Sequence, residues 1–185
     1  LPLVIAGVLC LPAGTLCHEI IGHGLTGVVL GGRITYVDVL GLRLWPKPGL
    51  VGWPAAYGYC GVDGLTPEWR KAVMGLGGSI STLLAAILAL VTLRVRRWSI
   101  WPRAMLLAVG AWWVDLLTYT LPVWGLRRSI FWGGRISEPY EAAVMLGVPG
   151  VLWQVFVVVA CGACTIAWVR AMWRTWREAW PPPSL

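Results

Sequence analysis

Charged residues are scarce in this chain of 185 residues: Asp, Glu, Lys and Arg make up 12% of it, against about 25% in a soluble domain. With 58% hydrophobic residues and a mean hydropathy of +0.72, that shortage excludes an ordinary soluble protein and indicates an integral membrane protein. Phenylalanine is nearly missing, two residues against fourteen tryptophans. Such a bias suits the boundary between hydrocarbon and headgroups, where indole rings settle. There is no long polar basic arm. The net charge of +7 comes from arginines beside apolar runs, as in "RVRRW" (94–98) and "RAMWRTWRE" (170–178). It is read as topology and contact with anionic membrane lipid, and no nucleic-acid partner is expected. The five cysteines are odd in number and fall mostly in apolar segments, which excludes a disulfide framework. "CGAC" (161–164) has CxxC spacing without a second pair nearby, and is read as helix packing.

Four segments can cross a bilayer, which takes about 20 apolar residues per helix: residues 1–30, 72–93, 100–124 and 151–169. The expected fold is therefore an all-α integral membrane protein, one polytopic domain over 1–185. Between the first two segments, "GGRITYVDVLGLRLW" (31–45) holds two short alternating runs around Gly41 and predicts a small β-hairpin. The stretch 46–67, with five glycines and four prolines, reads as loop. "GLGGSIS" (75–81) in the second segment is rich in small residues that let another helix approach closely. "AAVMLGVPG" (142–150) predicts a short helix ended by Pro149-Gly150 that re-enters the membrane. With four crossings, the amino terminus, the 94–103 turn and the tail share one side. Their dense arginine clusters make that side the cytoplasmic one, and the expected location is the cytoplasmic membrane of a prokaryote.

Only two histidines occur in the chain, and both lie in the first apolar segment, in "LCHEIIGHGL" (16–25). An ionisable group inside hydrocarbon costs roughly 2.5 to 3.5 kcal/mol on insertion scales. A single buried histidine is most often a hydrogen-bonded core residue. His18, Glu19 and His23 together are better explained by a bound cation. Zinc suits imidazole and, with three protein ligands, keeps a fourth position for water; an adjacent carboxylate then takes the water proton as it attacks a carbonyl. His18 and His23 are thus candidate ligands and Glu19 the candidate general base. The usual helical motif, HExxH, sets its histidines at i and i+4. Here they stand at i and i+5, about 140° apart on an ideal α-helix. A π-bulge absorbs one extra residue and returns both rings to one face, and Gly22 eases that distortion.

"HEIIGH" resembles the HExxxH motif of dipeptidyl peptidase III, a soluble zinc peptidase, which implies that the inserted residue is compatible with zinc. The wider stretch "LCHEIIGHGLTGVVLGGRITYVDVLGLRL" (16–44), with "MGLGGSISTLLAAIL" (74–88), resembles the site-2 protease family of intramembrane metallopeptidases. That resemblance implies hydrolysis of transmembrane or membrane-proximal protein substrates. It also implies a third ligand, an aspartate on a later transmembrane helix; Asp115, in "AVGAWWVDLLTYTLP" (108–122), is the matching residue. At 1.5 Å per residue from the shared exit side, marked by Arg33 and Arg127, His18 lies about 22 Å deep, His23 about 15 Å and Asp115 about 18 Å. The chain departs from the family in the inserted motif residue and in "VDLL", where the family has an Asp-Gly pair. Glu138 and Glu141 in "RISEPYEAA" (135–143) compete as third ligand, although acids in a first helical turn also meet the helix dipole favourably. Asp115 is also open to a purely structural role, hydrogen-bonding a neighbouring helix through Thr118 or Tyr119. Asp38 and Asp63 are expected to face water, and Cys17 to pack. Two further classes stay open, a non-catalytic metal-binding or transport protein and a membrane scaffold with a decayed motif. A transporter normally shows a polar pathway on paired broken helices, whereas this chain carries one cluster and no internal repeat.

Overall fold

The computed structural model describes residues 1–52, 58–121 and 137–179. The apolar amino-terminal run forms α1 (Pro2–Leu16), with Pro2 in the first turn, where its missing N–H costs nothing. The helix continues without interruption into a π-helix, Cys17–Leu25, and a last α-helical turn, α2 (Thr26–Val29). Together they make one span, Pro2–Val29.

The expected hairpin is present. Strands β1 (Arg33–Val39) and β2 (Leu42–Trp45) pair antiparallel, Val39 opposite Leu42. The connecting Leu40 and Gly41 both take positive φ, 52° and 81°, as a two-residue turn matched to the strand twist requires. Arg43 donates two 2.8 Å hydrogen bonds to the Asp38 carboxylate across the turn, and this pairing holds the Asp38 carboxyl below its ordinary value. The sheet is larger than a hairpin, which corrects the all-α expectation and the reading of 46–67 as loop. Strands β3 (Gly49–Leu50) and β4 (Gly58–Asp63) complete a four-stranded antiparallel sheet in the order β3-β2-β1-β4. Glycines in the stretch masked its strand character, because β4 is stabilised by pairing with β1 rather than by its own propensity. Val37, Val39 and Cys60 are buried beneath the sheet with Leu16 and Val62. Burial pushes the Cys60 thiol up to about 11, so it packs as a neutral group.

Three further spans follow among the described residues. The second, α3 (Glu68–Val95), starts four residues before the apolar run, since its polar first turn projects beyond the apolar stretch. The third is broken: α4 (Ile100–Val109) stops at Gly110 and α5 (Trp113–Thr120) resumes after a tight turn. Residues 122–124, expected to end this span, lie outside the described residues, as do Arg127 and most of the connection that follows. The fourth, α7 (Gly150–Ala179), is longer than its apolar core at 151–169. All four are long and apolar enough to cross a membrane. The short helix α6 (Glu138–Met145) begins earlier than the sequence pattern suggested and packs against α3, α5 and α7. A shared core of Leu83, Leu107, Leu116, Trp153 and Val157 joins these helices.

Candidate metal centre

The π-helix is what places the two histidines together. At i and i+5 an α-helix would splay them, whereas the wider turn returns both rings to one face. Their Nε2 atoms approach to 3.1 Å, and both side chains are buried, each about 5% exposed. The facing wall is α3. Gly22 meets it backbone to backbone: a Cβ added to Gly22 would lie 2.4 Å from the Gly78 Cα. Small residues at 77 and 78 are therefore a steric requirement of the crossing. A Cβ on Gly78 would itself lie 2.4 Å from His18 Nε2 and 2.6 Å from His23 Nε2. The space in front of the two nitrogens is thus kept open by the absence of one methyl group.

The outer ring nitrogens have fixed partners. His23 Nδ1 donates to the Met74 carbonyl at 2.9 Å, and because a carbonyl only accepts, Nδ1 must carry the hydrogen. His18 Nδ1 faces Asp115 Oδ2 at 2.9 Å, and the same oxygen accepts from the Thr82 hydroxyl at 2.7 Å. A carboxylate that accepts there again assigns the hydrogen to Nδ1. In neutral rings both Nε2 atoms then present lone pairs to each other, a contact that either a proton shared between them or a metal ion relieves. The Tyr119 ring tilts against His18 at 5.3 Å between centroids.

Glu138, in the first turn of α6, brings a carboxylate oxygen to 3.6 Å from His23 Nε2. Ser137, just before it, donates a close hydrogen bond to the Tyr119 carbonyl and so ties α6 to the end of α5. One ligand atom each from His18, His23 and Glu138 lies within 4.8 Å of the others, a group that could hold a metal ion. Two nitrogens bound to one tetrahedral zinc at about 2.0 to 2.1 Å stand about 3.3 Å apart. The observed separations of 3.1 and 3.6 Å and the two-imidazole, one-carboxylate donor set both fit such an ion. No family model, curated protein or solved structure matches the chain. The site is therefore read from its own geometry.

The residues singled out in the sequence occupy different places around the centre. His18 and His23 face each other. Asp115, ranked ahead of Glu138 as third ligand, lies against the Nδ1 side of His18 and outside the three-ligand group. Its partner on the neighbouring helix is Thr82 rather than Thr118, whose hydroxyl donates to the Asp115 backbone carbonyl. Glu138 occupies the position next to His23, while Glu141 is exposed. Glu19 is buried at the head of β4: a Cβ on Gly58 would lie 2.6 Å from its Oε1. Cys17 turns to Ser81, with 3.8 Å between Sγ and Oγ. Thr82, Gly78 and the Met74 carbonyl were missed by sequence reasoning. The small-residue run at 75–81 signalled a close crossing without showing what it would cross.

Proposed function

We propose that this chain is an intramembrane zinc metallopeptidase, resident in the cytoplasmic membrane of a prokaryote, that hydrolyses a peptide bond within or near the bilayer. In this reading His18, His23 and Glu138 hold one zinc ion. The observation that carries the proposal is the convergence of two imidazole lone pairs and a carboxylate, with a further buried carboxylate, Glu19, left outside the ligand group. Bound there, zinc supplies Lewis acidity, polarising a substrate carbonyl and lowering the pKa of water to about 7.

The protein's own groups do the rest. Asp115 fixes the tautomer and orientation of His18, the role that a carboxylate beside a ligating histidine typically plays. The Met74 carbonyl does the same for His23. Glu19 takes the proton from the attacking water as the C–O bond forms and delivers it to the leaving nitrogen as the C–N bond breaks, restoring its carboxylate. The substrate is a transmembrane or membrane-proximal protein segment, because both histidines and the α3 wall facing them lie on helices apolar enough to be embedded.

The test combines metal content with cleavage. Elemental analysis of the protein purified in detergent should find about one zinc per chain, lost in His23→Ala and Glu138→Gln. Glu19→Gln should keep the zinc and lose cleavage of a transmembrane reporter segment in proteoliposomes. Zinc-free wild-type protein would end the metal reading. Zinc binding with no cleavage, or cleavage indifferent to Glu19→Gln, would leave a metal-binding protein that is not this peptidase.

A further inference from the structure

At the opposite functional extreme from the buried centre, the arginine-rich ends of three helices enclose a cavity of about 260 Å³. Arg94, Arg96 and Arg97 come from the end of α3, Arg103 from the start of α4, and Arg174 and Glu178 from the last turns of α7. Five guanidinium groups thus face one carboxylate. Glu178 is already engaged by a close ion pair with Arg103, and among the described residues Arg94, Arg96, Arg97 and Arg174 make no ion pair. Arg96 stacks on the Trp98 ring at 4.9 Å, which leaves the edge of its fork open to an acceptor. Like charges crowded this way repel one another unless an anion joins them.

The level in the membrane says which anion. The apolar helices end at Val95 and Glu178 and begin at Ile100, so a bilayer that they cross sets its headgroups at the level of the cavity. Trp101, Trp173 and Trp176, at the same ends of α4 and α7, are exposed, as in an interfacial belt. Guanidinium forks match the paired oxygens of a phosphodiester and stay charged at any physiological pH.

A second hollow lies one turn further along α4 and α7, against the first span. It has a volume of about 310 Å³ and is lined by Leu3, Gly7, Leu107, Ala111, Trp112 and Trp168, among others. Along α4, Arg103 lines the first hollow and Leu107, one turn on, the second; along α7, Glu178, Thr175 and Ala171 line the first and Trp168 the second. Residues at these spacings share a helix face, so the two hollows lie in line along one α4–α7 seam. The Trp168 indole bridges that seam by donating to the Leu107 carbonyl at 2.8 Å. A basic cavity at headgroup level followed by an apolar one is the shape of a lipid: phosphate outside, acyl chain inside.

We propose that this seam is a binding site for one anionic phospholipid, its phosphodiester among the arginines and one acyl chain against Leu107, Ala111 and Trp168. The site shares no residue with the metal centre and does not depend on the peptidase reading.

Native mass spectrometry of the full chain in mild detergent, offered equal amounts of phosphatidylglycerol and phosphatidylcholine, tests it. Wild-type protein should retain phosphatidylglycerol preferentially. Arg94→Gln with Arg174→Gln should weaken that retention about 30-fold, at about fivefold per arginine removed near a membrane surface. Arg33→Gln, on the other side of the first span, should leave it unchanged. Equal retention of both lipids by the wild type overturns the site whatever the double variant does, including a failure to fold. Unchanged retention in a folded double variant also overturns it. Displacement of phosphatidylglycerol by millimolar inorganic phosphate or glycerol phosphate would make this a pocket for a soluble phosphate, which overturns the lipid assignment as well.

Discussion

Gly78 shapes the metal centre as directly as the two histidines. Its missing side chain is the space in front of both Nε2 atoms, where an added Cβ would stand 2.4 and 2.6 Å away. Gly78→Ala should therefore abolish stoichiometric zinc in elemental analysis. Gly75→Ala, three residues earlier on the same helix, should not, because its added Cβ would meet only the Ala142 Cβ at an ordinary 3.5 Å. Asp115 acts one bond further out. Asp115→Asn keeps the shape but can offer an amide N–H toward His18 Nδ1 in place of an acceptor, which weakens the preference for the ligating tautomer. Zinc affinity, measured by competition with a chelator, should fall roughly 10- to 100-fold, the usual cost of losing such a partner. A loss as complete as that of His23→Ala would instead make Asp115 a direct ligand.

The π-helix and α3 form a single device. A π-helix is rare and survives where tertiary contacts hold it. Here the contact is the crossing of Gly22 on Gly77 and Gly78, where a Cβ on Gly22 would meet backbone atoms at 2.4 and 2.8 Å. Backbone cannot give way as a flexible side chain can. Gly22→Ala should thus destabilise the protein by at least the roughly 1 to 3 kcal/mol of ordinary overpacking, seen as a lower midpoint of thermal unfolding in detergent. Gly162→Ala, in α7 with nothing near its added Cβ, should do the reverse, by roughly 0.5 to 1 kcal/mol. If both substitutions shift the midpoint alike, the crossing does not hold the π-helix.

The whole chain divides its polarity between two ends and a buried middle. Arginines crowd the turn after α3 and the end of α7, while the sheet packs beneath Leu16 toward the other end of the first span. The positive-inside rule predicts that the arginine end faces the cytoplasm. A fluorescent protein fused after Leu185 should then be bright in a bacterial host, and alkaline phosphatase at the same point inactive. The opposite pair of results would invert the topology and put the lipid-binding seam in the outer leaflet.

Much of this was legible in the chain read as a string. Scarce charge and four apolar runs define the spans, because the cost of placing polar groups in hydrocarbon depends on composition alone. His18, Glu19 and His23 stood out for the same reason, and their i, i+5 spacing required the π turn that the structure contains. Two alternating runs around Gly41 marked a hairpin, since short turns are local. The rest depended on neighbours distant in sequence. β4 exists through its pairing with β1, which its glycines do not announce. A count of residues along each helix gives one coordinate and leaves open which ring nitrogen an acid meets: Asp115 meets His18 Nδ1, and Glu138 lies beside His23 Nε2. Only the packing of α6 against α3, α5 and α7 brings Glu138 to His23, and only the glycine crossing sets the width of the gap that both histidines face.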